Sequence, residues 1–323
     1  MLDIKVYENK DALTRWDQCV DKMKAWIVAV GAPYPNVPRQ RQIRQIAEWL
    51  YQWIVTAIEL DRKREDLLLV ETPEYAFPLV RQMTPDRGLI HTNLFDLFNP
   101  YWDAAVVKWF QTNPIDGLHF EPCVGREEYV IDCNFDSFET HVKTLGIVKD
   151  NKKFWTTLSF VVDDHVTLDE VQHMLKSNWE HFNEPLEQVV EDGKTVYKTL
   201  RKGVVIPELL MSMPLNYDKA LKVYLNQELV SVAFVQINEG LKEMYWLQAY
   251  TLRTPETDKL QVGKFIPYAL IKTAYATGYT TVNMGIAHYD YKARWAKRKI
   301  APTGFDLMIP ENYIQRSQHE HSI

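Results

Sequence analysis

The chain has 323 residues, of which 46% are hydrophobic and ten are tryptophan, and its formal net charge is -6. These values predict roughly two folded domains and exclude a disordered chain, which lacks the apolar surface that offsets ordering entropy. No run approaches the roughly 18 uninterrupted apolar residues of a membrane span, and the overall charge gives no general attraction to nucleic acid.

In chain order, IKVYE predicts a short strand, followed by an amphipathic helix over residues 11–28. The leading MLDIKVYENKDALTRW lacks a basic region followed by an apolar one, so no signal peptide is expected. GAPYPNVPRQ reads as a loop, because its three prolines bar a helix. QRQIRQIAEWLYQWIVTAIEL then carries apolar residues at helical spacing, with Trp49 and Trp53 on the core face. LLLV and REEYVIDCNF predict strands separated by turn residues. His119 and Cys123 lie close together, but no second pair completes a metal site, so no metal is expected. Cys19, Cys123 and Cys133 have neither zinc nor disulfide spacing, which fits a reducing cytoplasm.

From Ser137 the texture changes to a helix, a basic turn, a β-rich run and a second helix. Thr167 and Glu170 are spaced as a capping box for that second helix. LKVYLNQELVSVAFVQIN predicts a hairpin and MYWLQAYTL a central strand. After the loop RTPETDKLQVG, KFIPYALIKTAYATG predicts a helix stopped by Gly278. TTVNMG is the next strand, ending on Gly285, and a turn with His288, Asp290, Tyr291 and Lys292 follows. Between Lys264 and Ile300, seven Lys or Arg face one acid, Asp290. This suggests a phosphate-bearing ligand or, more plainly, a solvated helix face over 292–299.

The residue types after Gly285 can move protons and stabilise anions. His288 titrates nearest neutrality, Tyr291 can donate a proton, and Lys292 can stabilise an anion or bind phosphate. Glu243 and Gln248, on or beside the central strand, are further polar candidates. At the preceding helix start, exposed amides and a side-chain-free Gly263 would admit a pyrophosphate, with Lys264 adding a charge.

Hairpin, central strand, glycine-bearing loop, helix, strand and tyrosine-rich turn, in that order over roughly 130–300, resemble the FemAB-like branch of the GNAT superfamily of N-acetyltransferases. The resemblance implies an α+β (mixed α/β) GNAT-type fold, with two tandem GNAT-like halves and a divergent N-terminal one. The expected division is 1–135, 136–310 and a tail, 311–323. Implied catalytic residues are Tyr291, Lys292, His288 and Glu243. Acyl-CoA is the implied donor, held by Leu247, Ala249, Gln261, Val262, Gly263 and Lys264, while Gln248, Asn283 and Asp290 would meet the acceptor amine. The loop departs from the usual phosphate-binding pattern, because Gly263 is followed by Lys264 and Phe265 rather than by a second small residue. Some FemAB-like enzymes use aminoacyl-tRNA, so three readings stay open. These are a CoA-dependent N-acyltransferase, a transferase that uses tRNA or modifies an amine on nucleic acid through 292–299, and a non-catalytic binding module.

Overall fold

A computed structural model describes residues 4–30, 51–52, 56, 65–83, 90–93, 100–115, 119–124, 127–182, 185–191, 194–206, 217–286, 291–296, 298–300, 303–308 and 314–315. The chain forms two compact units, one from residues 1–125 and 302–323 and the other from Arg126–Ala301.

The first unit opens with β1 (Lys5–Glu8) and α1 (Asn9–Trp16). The single helix expected over 11–28 is interrupted, because a 3₁₀ turn (Asp17–Cys19) separates α1 from α2 (Val20–Val30). The tighter turn keeps Ala12, Trp16, Cys19, Met23, Trp26 and Val30, three or four residues apart, all buried. Of the helix expected around Trp49 and Trp53, only Tyr51, Gln52 and Thr56 are among the described residues, and they are helical. Next come β2 (Glu65–Glu71), β3 (Ala76–Met83), β4 (Ile90–Asn93), α3 (Pro100–Thr112) and β5 (His119–Val124). At the end of β2 the buried Glu71 accepts from Arg15 Nε (2.9 Å), Lys22 Nζ (2.9 Å) and Tyr7 Oη (3.2 Å). Burial pushes its carboxyl up, but the Arg15 and Lys22 hydrogen bonds outweigh burial and hold it at about 2.

The second unit begins with β6 (Glu128–Asp132), then α4 (Phe138–Thr144) and α5 (Gly146–Asn151). The helix expected after Ser137 is thus two short ones, divided at Leu145, whose backbone is extended. A 3₁₀ turn (Lys152–Phe154) leads to β7 (Leu158–Asp163), and α6 (Leu168–Phe182) follows. The capping box forms: the Thr167 amide donates to Glu170 at 2.7 Å, and the Glu170 amide donates to Thr167 Oγ1 at 3.3 Å. A three-stranded antiparallel ladder, β8 (Leu186–Glu191), β9 (Lys194–Thr199) and β10 (Val205–Ile206), had no counterpart in the sequence reading.

The hairpin is β11 (Lys219–Leu225) and β12 (Glu228–Asn238). Asn226 and Gln227 both have positive φ, 50° and 73°, as a two-residue turn between right-twisted strands requires. β13 (Glu243–Thr251), α7 (Pro255–Leu260), α8 (Val262–Thr277), β14 (Thr281–Ile286) and β15 (Arg298–Ile300) complete the unit. Gly278 ends α8 in the left-handed conformation, with φ of 79°. The sheet order is β15-β6-β14-β13-β12-β11-β7, antiparallel except for β13 and β14. Ala233, Val235, Met244, Trp246, Val282 and Met284 share a buried cluster with Phe265, Ile266, Ala269 and Leu270 of α8. Full burial of each large apolar side chain there contributes about 1.5–3 kcal/mol.

The chain then returns to the first unit as β16 (Thr303–Met308) between β4 and β5, and as β17 (Ile314–Gln315) beside β1. The division therefore differs from the expected one. β6 joins the second sheet, whereas 303–308 and the expected tail supply strands to the first. Backbone pairing carries no local sequence mark of the partner, so composition alone misplaced these segments.

The Glu71 pairing predicts an acid-sensitive first unit. Since the folded carboxyl lies below its ordinary value of 4.5, its contribution is full above about pH 4.5 and is lost as pH falls toward 2. Glu71→Gln should destabilise the unit by about 3 kcal/mol at pH 7, because Arg15 and Lys22 lose their shared partner. The deficit should shrink on acidification, as denaturant titrations at pH 3 and pH 7 would show. An equal deficit at both would refute the ion-pair account.

Candidate active site

β13 and β14 run parallel for three residue pairs, Glu243–Thr281, Met244–Val282 and Tyr245–Asn283, and then part. β13 continues to Thr251 beside β12, with a register shift at Leu247, while β14 continues beside β6. A parallel pair needs a crossover, here α7 and α8, which returns the chain to the start of β14. The N-terminus of α8 therefore lies toward the end of the sheet where the two strands diverge. The expected donor residues Leu247 and Ala249, both half-buried, and the exposed Gln248 stand on the diverging part of β13.

At the start of α8, Gln261 adopts the left-handed conformation, with φ of 53° and ψ of 45°. Its carbonyl accepts from the Lys264 amide at 2.8 Å, and its side-chain oxygen accepts from Lys264 Nζ at 2.6 Å. The Val262 and Gly263 amides occupy the first helical positions, where no intrahelical acceptor exists. A Cβ added at Gly263 would meet nothing within 4 Å, so space is open beside these amides. The loop thus fits a phosphate group, held by backbone amides at a helix N-terminus.

Glu243, Tyr245 and Asn283 alternate away from the cluster under α8 and join a buried polar network. Asn283 Nδ2 donates to Glu128 Oε2 at 2.8 Å and to Glu243 Oε1 at 3.5 Å, and Tyr245 Oη donates to Glu128 Oε1 at 3.3 Å. Asn283 Oδ1 accepts from the Gly285 amide at 2.9 Å. Gly285 has φ of 67°, and a Cβ there would approach Tyr245 Oη to 3.2 Å, so both backbone and space select glycine. Glu128 was not among the sequence candidates. Its one local signal was an acid opening the apolar strand EYVID.

Lys292 is buried, donates to the Met284 carbonyl at 2.6 Å and lies 5.7 Å from the Trp246 ring centroid. Burial lowers its ammonium to about 8 against the opposing pull of Glu128. Burial also raises Glu128, with nearby Glu243 adding to the rise, and the Asn283 and Tyr245 hydrogen bonds only partly offset it. Tyr291 is half-buried against the core, one residue before this anchor. His288 and Asp290 lie outside the described residues.

The structure thus brings Glu243, Asn283 and Lys292 together around Glu128, and places Gln261, Val262, Gly263 and Lys264 separately at the helix start. The basic helix expected over 292–299 does not form. Residues Lys292–Arg294 make a 3₁₀ turn and Arg298–Ile300 pair with β6. Arg294 pairs with Asp150 (2.7 Å), Arg298 with Asp132 (2.6 Å) and Lys299 with Glu127 (2.7 Å), so these cations are not an open track for phosphates. Among the described residues, no helix is long and apolar enough to cross a membrane.

A family model described as Acetyltransferase (GNAT) domain matches residues 219–293, from the start of β11 to Ala293, one residue past Lys292. A comparison with curated proteins gives no match. Three solved structures are similar at low identity. One is the C-terminal DUF2156 domain assigned to a lysylphosphatidylglycerol synthetase of Agrobacterium fabrum, at 14% identity and TM-score 0.35. That match covers 62% of this chain and 63% of that one. FemX is 10% identical with TM-score 0.41, covering 81% of this chain and 91% of that one. A tandem GNAT protein from the clavulanic acid pathway is 8% identical with TM-score 0.37, covering 95% and 97%. The domain match, on a mixed sheet with one parallel pair, gives the second unit a GNAT-type α/β fold and supports an acyltransferase.

The lowered Lys292 predicts a signature in stability. Between about pH 8 and its ordinary 10.5, the folded lysine is neutral while the unfolded one keeps its proton, so unfolding takes up a proton and stability rises with pH. Below pH 8 the burial penalty is fully present. Lys292→Met should abolish this rise, as denaturant midpoints measured from pH 7 to pH 10 would show. Parallel curves for parent and variant would mean that Lys292 keeps an ordinary charge.

Proposed function

We propose that the protein is an N-acyltransferase that moves an acyl group from a CoA-type thioester to an amine. The observation that carries this reading is the parting of β13 and β14 between an open, glycine-bearing helix start and a buried carboxylate–amide–lysine network. Donor phosphates rest on the Val262 and Gly263 amides, and the acyl arm follows β13 past Leu247 and Ala249. The acceptor approaches along the face that carries Gln248, Glu243 and Asn283.

In the reaction, the neutral amine nitrogen attacks the thioester carbonyl and the C–S bond breaks. The Tyr291 hydroxyl gives its proton to the departing thiolate, and the proton on the new amide nitrogen leaves to a base, for which His288 is the candidate. Lys292 acts through position: its bond to the Met284 carbonyl holds it, and with it the adjacent Tyr291, at the end of β14. Glu128, Glu243 and Asn283 hold the strand end from below. The pairing of Arg294, Arg298 and Lys299 favours a CoA-type donor over aminoacyl-tRNA, whose many phosphates would need free cations.

Two substitutions test the reading with a panel of acyl-CoAs and amines. Tyr291→Phe should lower kcat by about 100-fold while leaving donor affinity unchanged, since the ring remains. A structural tyrosine would instead cost about 1 kcal/mol of stability and leave kcat intact.

Gly263→Val should weaken donor binding by about tenfold, because its branched side chain fills the space beside the amides. Unchanged donor affinity in a folded Gly263→Val protein would remove the helix start from the site. Turnover that persists only with aminoacyl-tRNA and falls steeply with salt would select the alternative donor.

A further inference from the structure

On the opposite flank of α8, a cleft of about 390 Å³ opens between that helix and the segment 152–160. Its lining is Lys152, Trp155, Thr156, Leu158, Ser159, Phe160, Phe265, Tyr268 and Lys272. Trp155 and Phe265 form a buried base, Phe160 and Tyr268 are half-buried, and Lys152, Thr156, Ser159 and Lys272 are exposed at the rim. The rings are mutually braced. Trp155 lies 5.7 Å from Phe265 and 5.4 Å from Tyr268, and its stacking on Trp295 at 6.2 Å fixes the indole. Braced aromatic walls lose little entropy when a ligand enters.

Many cations of the unit are paired with acids: Lys219, Lys222, Lys242, Arg253, Arg294, Arg298 and Lys299 each have a carboxylate partner. The two lysines of this cleft, Lys152 and Lys272, like Lys143, Lys149, Lys153 and Lys259, form no ion pair among the described residues, and no carboxylate lines the cleft. Lys272 instead lies 5.7 Å from the Phe160 ring centroid, a cation held on a π face at the cleft wall. Burial raises the Tyr268 phenol, with Glu139 adding to the rise, so it keeps its proton and can donate. Cations and neutral donors above an aromatic floor complement a flat ring bearing an anionic group.

We propose that this cleft is a second ligand site, distinct from the helix start, which takes a small planar aromatic anion. The ring lies against Tyr268, Phe160 and the Trp155–Phe265 base. The anionic group, a phosphate monoester or a carboxylate, sits between Lys152 and Lys272 with the Tyr268, Thr156 and Ser159 hydroxyls nearby. The volume falls in the range of small-molecule pockets, and the ratio of apolar floor to few polar groups is that of a binding site. The site does not depend on the acyl-transfer reading, because Gly263 and the β13–β14 wedge contribute nothing to its lining.

Equilibrium binding to the full chain tests it, with AMP and indole-3-carboxylate as probes and adenosine and inorganic phosphate as controls. At least one aromatic anion should bind in the micromolar to low-millimolar range, at least tenfold more tightly than adenosine, which lacks the charge, and than phosphate, which lacks the ring. Binding of AMP alone would assign the phosphate monoester, and binding of indole-3-carboxylate alone the carboxylate. Lys152→Met with Lys272→Met should weaken that binding by at least tenfold. Should the double variant unfold, Ser159→Trp, at an exposed rim position, should block the cleft instead. Gly263→Val should leave the affinity unchanged. The proposal is overturned if neither anion binds at 5 mM, if binding survives both the double lysine variant and Ser159→Trp, or if Gly263→Val abolishes it, which would place the anion at the donor loop.

Discussion

The second unit depends on a parallel ladder that stops early. β13 and β14 share three residue pairs, and within two residues of the last one both strands are deformed. On β13 the irregularity falls at Leu247, and on β14 it falls between Asn283 and Ile286, where Gly285 takes a φ of 67°. Neither bulge alone would part the strands, since a single bulge bends one strand and lets pairing resume. Two bulges facing each other remove the register that pairing would need. The wedge is thus built into the backbone, and it opens at the carboxyl end of a parallel pair, where crossover sheets characteristically receive ligands.

The buried network follows from that deformation. Once Gly285 turns left-handed, its amide no longer serves the ladder, and Asn283 Oδ1 takes it. That bond fixes the amide of Asn283 with its nitrogen toward Glu128 and Glu243, which explains two acids on one donor at 2.8 and 3.5 Å. Burying two carboxylates and an ammonium so close would be costly if all stayed charged, and burial drives Glu128 up and Lys292 down. Glu128 and Lys292 thus act on one another, and the charge of Glu243 adds to the rise of Glu128. The Lys292 bond to the Met284 carbonyl ties together positions eight apart in the chain, and Lys292 lies one residue past Tyr291.

Features set by nearest neighbours were legible in the sequence. The Thr167–Glu170 capping box, the hairpin turn, expected over Asn226–Glu228 and formed by Asn226 and Gln227, the Gly278 stop and the strands flanking α8 all depend on residues a few positions apart. Glu128 was missed because the donor that gives it meaning, Asn283, lies 155 positions away. The basic segment misled for the same reason. Arg294, Arg298 and Lys299 find their acids 144, 166 and 172 positions upstream, so a local count of charge could not show that three of the seven cations are paired. The helix split at Asp17–Cys19 was hidden in another way, because a 3₁₀ turn preserves the apolar face and leaves the helical pattern intact.

Pairing of those three cations also changes what recognition of a donor can rest on. With Arg294, Arg298 and Lys299 paired and Lys292 buried, the proposed attraction to phosphate near the wedge rests, among the described residues, on amides and Lys264. Lys264 itself donates to Gln261 at 2.6 Å, which keeps its ammonium over the helix start rather than free in solvent. Backbone amides act only at contact distance and only on a group that reaches them, so shape decides binding there more than net charge does. Gly263 matters for that reason. The proposed aromatic cleft on the other flank of α8 works the opposite way, with lysines that lack a carboxylate partner among the described residues supplying a field that extends into solvent. On the two proposals one helix separates a site read by geometry from one read by charge, and ionic strength would weigh on them unequally.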